Sequence, residues 1–220
     1  MKNKLYRILL ILLVMVGLLL IFNKQIAYFF MQKTGENYQI SKVDKAKLAE
    51  NDKKTGEFDF AKVEPASSQA VASSLLDVSD LPVTGGIAVP AVGIQLPIFK
   101  GLSNENLLYG AGTLSPTQKM GKGNYALASH RMTDPKLLFT PLERVNKGDK
   151  IYLTDKNKIY VYQTTFKKRL QPTASYVLDE PEKTPLVTLI TCGEMEGVTR
   201  VVVQGELLET LNMDQNKVFK

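Results

Sequence analysis

The sequence contains very few of the residues that build disulfides and metal centres. Its 220 residues include one cysteine, Cys192, one histidine, His130, and no tryptophan. A single cysteine excludes an internal disulfide, so its thiol is either buried and inert or free and reactive. One Cys and one His also cannot form a zinc site at the usual ligand spacings. We therefore expect no metal and no cofactor.

Charge of one sign is nowhere concentrated. The 28 Lys and Arg residues exceed the 22 Asp and Glu residues, but the excess is scattered through segments such as "NDKK" and "KNK". Nucleic-acid binding would need a concentrated basic face with interleaved aromatic residues. We expect no nucleic-acid partner, and we interpret the charge as a solvated surface near anionic polymers or lipid.

One long apolar run is present, Ile8–Phe22, and Leu5 extends it. A helix over Leu5–Phe22 is about 27 Å long at roughly 1.5 Å per residue, close to the thickness of a bilayer core. Three basic residues stand before or at its start: Lys2, Lys4 and Arg7. The positive-inside rule then predicts a cytoplasmic N-terminus and an external remainder.

A cleaved signal peptide is the alternative interpretation of this run. Such a peptide has a shorter apolar region followed by small residues, whereas "NKQIAYFFMQK" follows here with no A-x-A site. Residues 1–31 are therefore predicted to be a cytoplasmic tip and an uncleaved transmembrane signal anchor.

Composition divides the rest of the chain in two. Residues 32–80 are rich in Lys, Glu, Ala, Ser and Asp and are predicted to be an extracellular spacer, with a helix in "DKAKLAENDKK" and a flexible stretch in "EPASSQAVASS". From Leu81 onward, short β-type runs such as "KIYLT", "IYVYQTTF", "PLVTLITC" and "RVVVQGELLE" dominate. Short helices are predicted in "SNENLLYG" and at Thr140–Glu143, where "TPLE" has the capping-box pattern. Residues 81–220 are thus predicted to form an all-β barrel or sandwich.

Three residues of this domain can carry chemistry. Cys192 ends an apolar strand, and Arg200 begins the next one eight residues later, so antiparallel pairing would bring both to one end of the sheet. A guanidinium there favours the thiolate and can bind a carbonyl oxygen that gains charge. His130 follows another strand-like run and can serve as acid or base. Taken one by one, a buried structural cysteine, a structural histidine and a solvated arginine remain open alternatives.

Together these segments resemble the sortases, the membrane-anchored cysteine transpeptidases of Gram-positive bacteria. "TLITC", the arginine eight positions later and "ALASHRM" upstream carry the resemblance, which extends over Leu81–Glu209 and agrees with the N-terminal anchor. It implies an eight-stranded β-barrel with Cys192 as nucleophile, His130 as general acid and base, and Arg200 stabilising the oxyanion. Thr191 would help to bind substrate or to hold the oxyanion.

The resemblance also implies the reaction. The enzyme would cleave an LPxTG signal between Thr and Gly, form a thioester on Cys192, and transfer the surface protein to an amine of the cell-wall precursor lipid II. Expected partners are therefore LPxTG-bearing proteins, the peptidoglycan amine acceptor and the membrane.

The subclass is expected to be class A. The polar ending "LNMDQNKVFK" and the absence of a lid motif distinguish the sequence from the pilin-polymerising members. "QPTASYVLDE" occupies the place of the loop that closes over the Leu-Pro of the substrate. The expected apolar contacts are Val177 and Leu178 in this loop and Ile190, Ala128, Pro97 and Leu114 elsewhere, although apolar strand residues more often belong to the core.

Some members of the family bind calcium through carboxylates in the loop before the histidine strand. The corresponding stretch here, Tyr109–Asn124, contains no Asp or Glu. The sequence therefore predicts independence of calcium.

A pentapeptide of the substrate type, "LPVTG", occurs at Leu81–Gly85 of the chain itself. It falls where the first strand should begin, and its Pro and Gly residues suit a sharp entry into that strand. Recognition by a second molecule, with cleavage after Thr84, is the alternative and requires the segment to be extended and exposed.

Two other functions remain open from the residues alone. A surface cysteine peptidase would hydrolyse the same signal without transferring it. A membrane-tethered, non-catalytic β-barrel binding protein would instead keep Cys192 buried and unreactive.

Overall fold

The computed structural model describes residues 2–59, 63, 80–215 and 217–219. Within them the α-helices are α1 Lys2–Ile21, α2 Asn23–Asn37, α3 Lys45–Asn51 and α4 Asn104–Tyr109. Helix α1 confirms the predicted apolar helix, and by length and composition it is able to cross a membrane. Helices α3 and α4 confirm the two short helices expected in "DKAKLAENDKK" and "SNENLLYG".

Eight strands in the described residues close into a barrel. They are β1 Val83–Val89, β2 Ile94–Phe99, β3 Ala111–Thr113, β4 Asn124–Ala128, β5 Lys150–Thr154, β6 Lys158–Leu170, β7 Leu186–Cys192 and β8 Arg200–Asn212. Their order around the barrel is β1-β2-β3-β4-β7-β8-β6-β5. Most neighbours are antiparallel, but β2–β3 and β4–β7 are parallel. The expected all-β barrel is confirmed.

Large apolar side chains fill the barrel interior. Ile87, Leu127, Phe139 and Leu189 are fully buried there, and each such side chain stabilises the fold by about 1.5–3 kcal/mol. Tyr162 is also fully buried, and its hydroxyl accepts a hydrogen bond from the Gly121 backbone at 2.9 Å. The interior is thus filled by packed side chains.

The segment between α1 and the barrel packs against the barrel wall. Met31, Ile40 and Leu48 are buried in one cluster with Val83 and Phe99. Helix α3 is also tied to β1 by a polar contact, because the Asn51 amide donates to the Val83 carbonyl at 3.0 Å. The described part of the predicted spacer therefore packs on the outside of the barrel.

Other parts of the domain prediction stand as predictions. The stretch "EPASSQAVASS" lies outside the described residues, and the boundaries at 31/32 and 80/81 stay untested. Helix α2 runs across the first of these boundaries.

The capping box predicted at Thr140–Glu143 is wrong, although a short helix is present. A 3-10 helix covers Thr140–Arg144, and its N-cap is Phe139, which makes no side-chain cap bond. The Thr140 hydroxyl instead accepts from the Met132 backbone at 2.8 Å. The Thr140 hydroxyl is therefore used in a tertiary contact with the segment after His130 and does not cap the helix.

The internal "LPVTG" belongs to the barrel wall. Leu81, Thr84 and Gly85 are all buried, and the Thr84–Gly85 bond lies inside β1. The Thr84 hydroxyl donates to the Ile98 carbonyl of β2 at 3.3 Å. This placement supports the architectural interpretation, because recognition by a second molecule would require the strand to leave the barrel.

Gly85 should be essential to β1, since a side chain there has no room. A Cβ atom at this position would lie 2.4 Å from Met120 Cε and 2.6 Å from the Thr154 carbonyl oxygen. We expect Gly85→Ala to lower the free energy of unfolding by about 1–3 kcal/mol, the range of overpacking changes. Urea unfolding followed by circular dichroism measures this.

Gly205→Ala is the matched control in a strand, because its Cβ would lie no closer than 3.2 Å to any neighbour. We expect a smaller loss there. An equal loss in the two variants would contradict the close-contact explanation for Gly85.

Candidate active site

Strand register brings His130, Cys192 and Arg200 to one end of the barrel. Parallel pairing of β4 with β7 aligns Ala128 with Ile190, and the Ser129 N–H bonds to the Ile190 carbonyl, so His130 follows at the same end of the barrel as Cys192. Antiparallel pairing of β7 with β8 aligns Cys192 directly with Arg200. The expected meeting of these last two residues at one end of the sheet is confirmed.

The turn after Cys192 holds the arginine beside the sulfur. Arg200 Nη1 donates to the carbonyls of Gly197 at 2.7 Å and Thr199 at 3.0 Å. A Cβ atom on Gly197 would lie 3.8 Å from Cys192 Sγ and 3.5 Å from Arg200 Nη1. The two groups therefore border one small space, which a glycine with φ of 70° leaves open.

Cys192 is half-buried, and His130 is buried with 7% of its surface exposed. Burial lowers the pKa of His130 to about 4, because the imidazolium loses hydration. The resting imidazole is therefore neutral near pH 7. A partly exposed Cys192 also disagrees with the buried thiol that the binding-protein interpretation requires.

Thr191 ties the cysteine strand to the histidine segment. Its hydroxyl donates to the Ser129 carbonyl at 2.9 Å, and the Ser129 backbone N–H donates to the Ile190 carbonyl at 3.2 Å. Ser129 Oγ donates in turn to the Gly110 carbonyl at 2.6 Å. These contacts hold the residues next to His130 and Cys192 in fixed register. Thr191 is 3% exposed, and its direct role in substrate binding stays a prediction.

An ion-pair network connects the segments that follow His130 and Cys192. Arg169 contacts both Glu143 oxygens at 3.0 Å and also contacts Glu194, while Arg131 contacts Glu143 at 3.0 Å. Hydrogen bonds from Thr199, together with Arg169, lower the pKa of Glu194. Burial raises the pKa of Glu143, but Arg131 and Arg169 outweigh it and the net pKa is lowered. No local pattern in the sequence indicates this network, since its members are far apart in the chain.

A cavity of about 180 Å³ adjoins Arg200. Its lining includes Leu114, Val177, Leu178, Ile190, Arg200 and Val202. Four of the predicted apolar contacts thus share one cavity with the arginine. This arrangement suits an extended peptide with apolar side chains, although the role of each residue stays a prediction.

The other predicted contacts lie elsewhere among the described residues. Pro97 is buried in β2, opposite Gly86 of β1. Ala128 is 4% exposed and packs in a small cluster with Leu102 and Leu107.

Buried polar groups fix the loop that carries Val177 and Leu178. The Asn124 amide donates to the carbonyls of Val177 at 2.9 Å and Asp179 at 3.0 Å. Gln204 donates to the Val177 carbonyl at 2.9 Å and to the Thr188 hydroxyl at 3.0 Å. Neither Asn124 nor Gln204 was among the residues expected at the site, and the signal that could have indicated them is a polar side chain within an apolar strand.

Comparison with known proteins agrees with this geometry. Residues 87–208 match the family model described as the sortase domain. The chain belongs to the sortase family. Sortase A of Streptococcus agalactiae is 43% identical over 208 residues, covering 92% of this chain and 84% of that protein. Sortase A of Listeria monocytogenes is 40% identical over 218 residues, covering 95% and 96%.

Solved structures show the same fold. Sortase A of Listeria monocytogenes aligns with a TM-score of 0.57 at 47% identity, covering 59% of this chain and 90% of that one. Sortase C-1 of Actinomyces oris aligns with a TM-score of 0.57 at 23% identity, covering 74% and 97%, which supports the fold alone. This sortase is thus a class A enzyme, a cysteine transpeptidase that acts on LPxTG signals.

Stability should fall in mild acid because of His130. The pKa of the imidazole is about 4 in the folded state, against an ordinary 6.5. Between these values the unfolded chain binds a proton that the folded sortase does not, so stability present above pH 6.5 is lost as the pH falls towards 4. We expect a loss of at most about 3 kcal/mol, measured by urea unfolding at several pH values with circular dichroism.

His130→Asn provides the comparison, because it keeps a polar side chain without this titration. Glu143 and Glu194 destabilise both proteins in acid, so only the difference between the two proteins reports on His130. Identical pH dependence in the variant would contradict the assignment.

Calcium independence remains a prediction, and a rate measurement tests it. The loop between β3 and β4 has no carboxylate of its own, while Glu180 from another loop accepts from the Asn124 backbone at 3.1 Å. We expect about the same kcat/KM on a sorting peptide with millimolar Ca²⁺ as with a chelator. A severalfold activation by Ca²⁺ would show that the loop does bind the ion.

Proposed function

We propose that Cys192, His130 and Arg200 carry out the transpeptidation, and that the acceptor is an amine of the cell-wall precursor lipid II. The observation that carries the proposal is their alignment on adjacent strand ends, next to a cavity that Arg200 itself lines. Nucleophile, base and anion-binding group then serve one peptide bond.

In the first half-reaction, His130 takes the thiol proton and Cys192 Sγ bonds to the threonine carbonyl carbon. Arg200 stabilises the oxyanion that forms. The carbon–nitrogen bond then breaks, His130 gives its proton to the departing glycine amine, and a thioester remains. Burial disfavours the imidazolium, which opposes the transfer from the thiol and favours this return of the proton to the amine.

In the second half-reaction, the acceptor amine attacks the thioester carbonyl. The neutral His130 removes a proton from the attacking nitrogen and returns it to the departing sulfur. A new amide forms and the thiol is restored, so protons and bonds balance over the cycle.

Leu114, Val177, Leu178 and Ile190 would hold the Leu-Pro part of the signal in the cavity beside Arg200. The Asn124 and Gln204 contacts support this role because they hold the 3-10 helix Ser175–Leu178 against the barrel. A groove formed before binding avoids the cost of ordering a loop.

Helix α1 would anchor the sortase in the cell membrane as its single span, with the N-terminus cytoplasmic and the barrel outside. Its length and the basic residues Lys2, Lys4 and Arg7 support this orientation. The packed α2 segment would keep the barrel close to the membrane surface.

The test uses the full chain in detergent, an LPxTG peptide and an excess of a glycine-based amine, with products identified by mass spectrometry. We expect a peptide cut after Thr and joined to the amine, and no product from Cys192→Ala. Arg200→Ala should lower kcat by about 10²–10³-fold, as loss of an oxyanion donor does. Arg200→Lys should recover part of it, because the charge remains but the planar fork is lost.

Hydrolysis without transfer, at saturating amine, would favour the peptidase alternative. Normal turnover by Cys192→Ala would overturn the assignment of the nucleophile.

A further inference from the structure

A second groove continues the cavity beside Arg200 on the side away from the cysteine. Its volume is about 440 Å³, and it shares Leu114 and Leu178 with the first cavity. Arg200 lines only the first of the two. A bound peptide that extends from Cys192 through the first cavity therefore passes these two leucines and reaches the second groove.

The direction of the substrate decides which residues enter this second groove. The threonine carbonyl must lie at Cys192, and Pro and Leu precede it in the signal. Leu114 and Leu178 would then contact the motif leucine at the far end of the first cavity. The residues that precede this leucine in the client are the ones that continue into the second groove.

The second groove is built before any peptide binds. Gln118 bridges one wall, because its amide donates to the Ala126 carbonyl at 2.9 Å while its oxygen accepts from the Ser115 backbone at 3.1 Å. On the opposite side, Glu180 accepts from the Asn124 backbone at 3.1 Å. Strand β4 forms the floor between the two walls through Asn124 and Ala126.

The charge of the groove is positive. Lys119 and Lys122 line it and are exposed, and Glu180 is the one acidic residue among the lining residues described. The Glu180 carboxylate is engaged by the Asn124 backbone. The groove thus carries two ammonium groups and one carboxylate. Lys119 and Lys122 would attract an acidic side chain of the substrate electrostatically.

We propose that this groove binds the two residues that precede the motif leucine and favours acidic side chains there. Its lining residues are Leu114, Ser115, Thr117–Lys119, Lys122–Asn124, Ala126, Leu178 and Glu180. This inference rests on the proposed placement of the LPxTG signal. It makes Lys119 and Lys122 specificity-determining residues outside the catalytic set.

The experiment compares three peptides that differ only at the two positions before the leucine, which hold Glu-Glu, Gln-Gln or Lys-Lys. The full-length sortase in detergent should show kcat/KM in the order Glu-Glu, Gln-Gln, Lys-Lys. The extremes should differ by about three- to tenfold at about 20 mM salt, and by much less at about 0.5 M, since exposed charges act weakly and are screened.

Two double variants separate the groove from the overall charge. Lys119→Glu/Lys122→Glu should reverse the order, and an unchanged thermal unfolding midpoint reports correct folding. Lys147→Glu/Lys150→Glu makes the same change in net charge at exposed positions away from the groove, and it should keep the original order.

Peptide affinity for the Cys192→Ala protein, measured by fluorescence anisotropy, tests the groove apart from catalysis. The same charge order in binding would support the groove even if turnover failed, and such a failure would count against the proposed function alone. Equal kcat/KM and equal affinity for the three peptides would overturn the inference. An order unchanged by Lys119→Glu/Lys122→Glu, or shifted equally by the control pair, would also overturn it.

Discussion

Parallel pairing of β4 with β7 is the contact on which the active site depends. The segment that ends in His130 and the strand that ends in Cys192 are separated by some sixty residues of chain, and only their register in the barrel aligns them. A shift by one residue would turn alternate side chains to the other face. The Thr191 and Ser129 hydrogen bonds reinforce that register next to His130 and Cys192.

Both strands and connecting segments contribute residues to the candidate active site. Cys192 and Arg200 lie at paired strand ends, where the closed barrel limits their movement. The cavity beside Arg200 combines Ile190 and Val202 of the strands with residues of connecting segments such as Val177, which the Asn124 side chain holds in place. Loops held in this way can change their side chains without disturbing the reacting groups, because the barrel core carries the stability.

The N-terminal region has a larger structural role than its composition suggests. Although residues 31–51 are largely polar, the buried side chains of Met31, Ile40 and Leu48 pack this segment on the barrel. Ile40 packs where β1 has a glycine, since a Cβ on Gly86 would lie 3.0 Å from the Ile40 side chain. The same glycine-rich entry to β1 that resembles a sorting signal therefore serves as a docking surface for the preceding chain.

Local patterns in the sequence were sufficient for the apolar helix, the β class and the strand runs, because each depends on residue type and short spacing. The roles expected of Cys192, His130 and Arg200 rested on the resemblance to the sortases and stay predictions. The capping box at Thr140 failed because a distant backbone group, Met132 N–H, competes for the hydroxyl. The ion-pair network, the low pKa of His130 and the two joined grooves were decided only by the tertiary structure. They arise from burial and from contacts between residues far apart in the chain, and no local pattern encodes which strands become neighbours when the barrel closes.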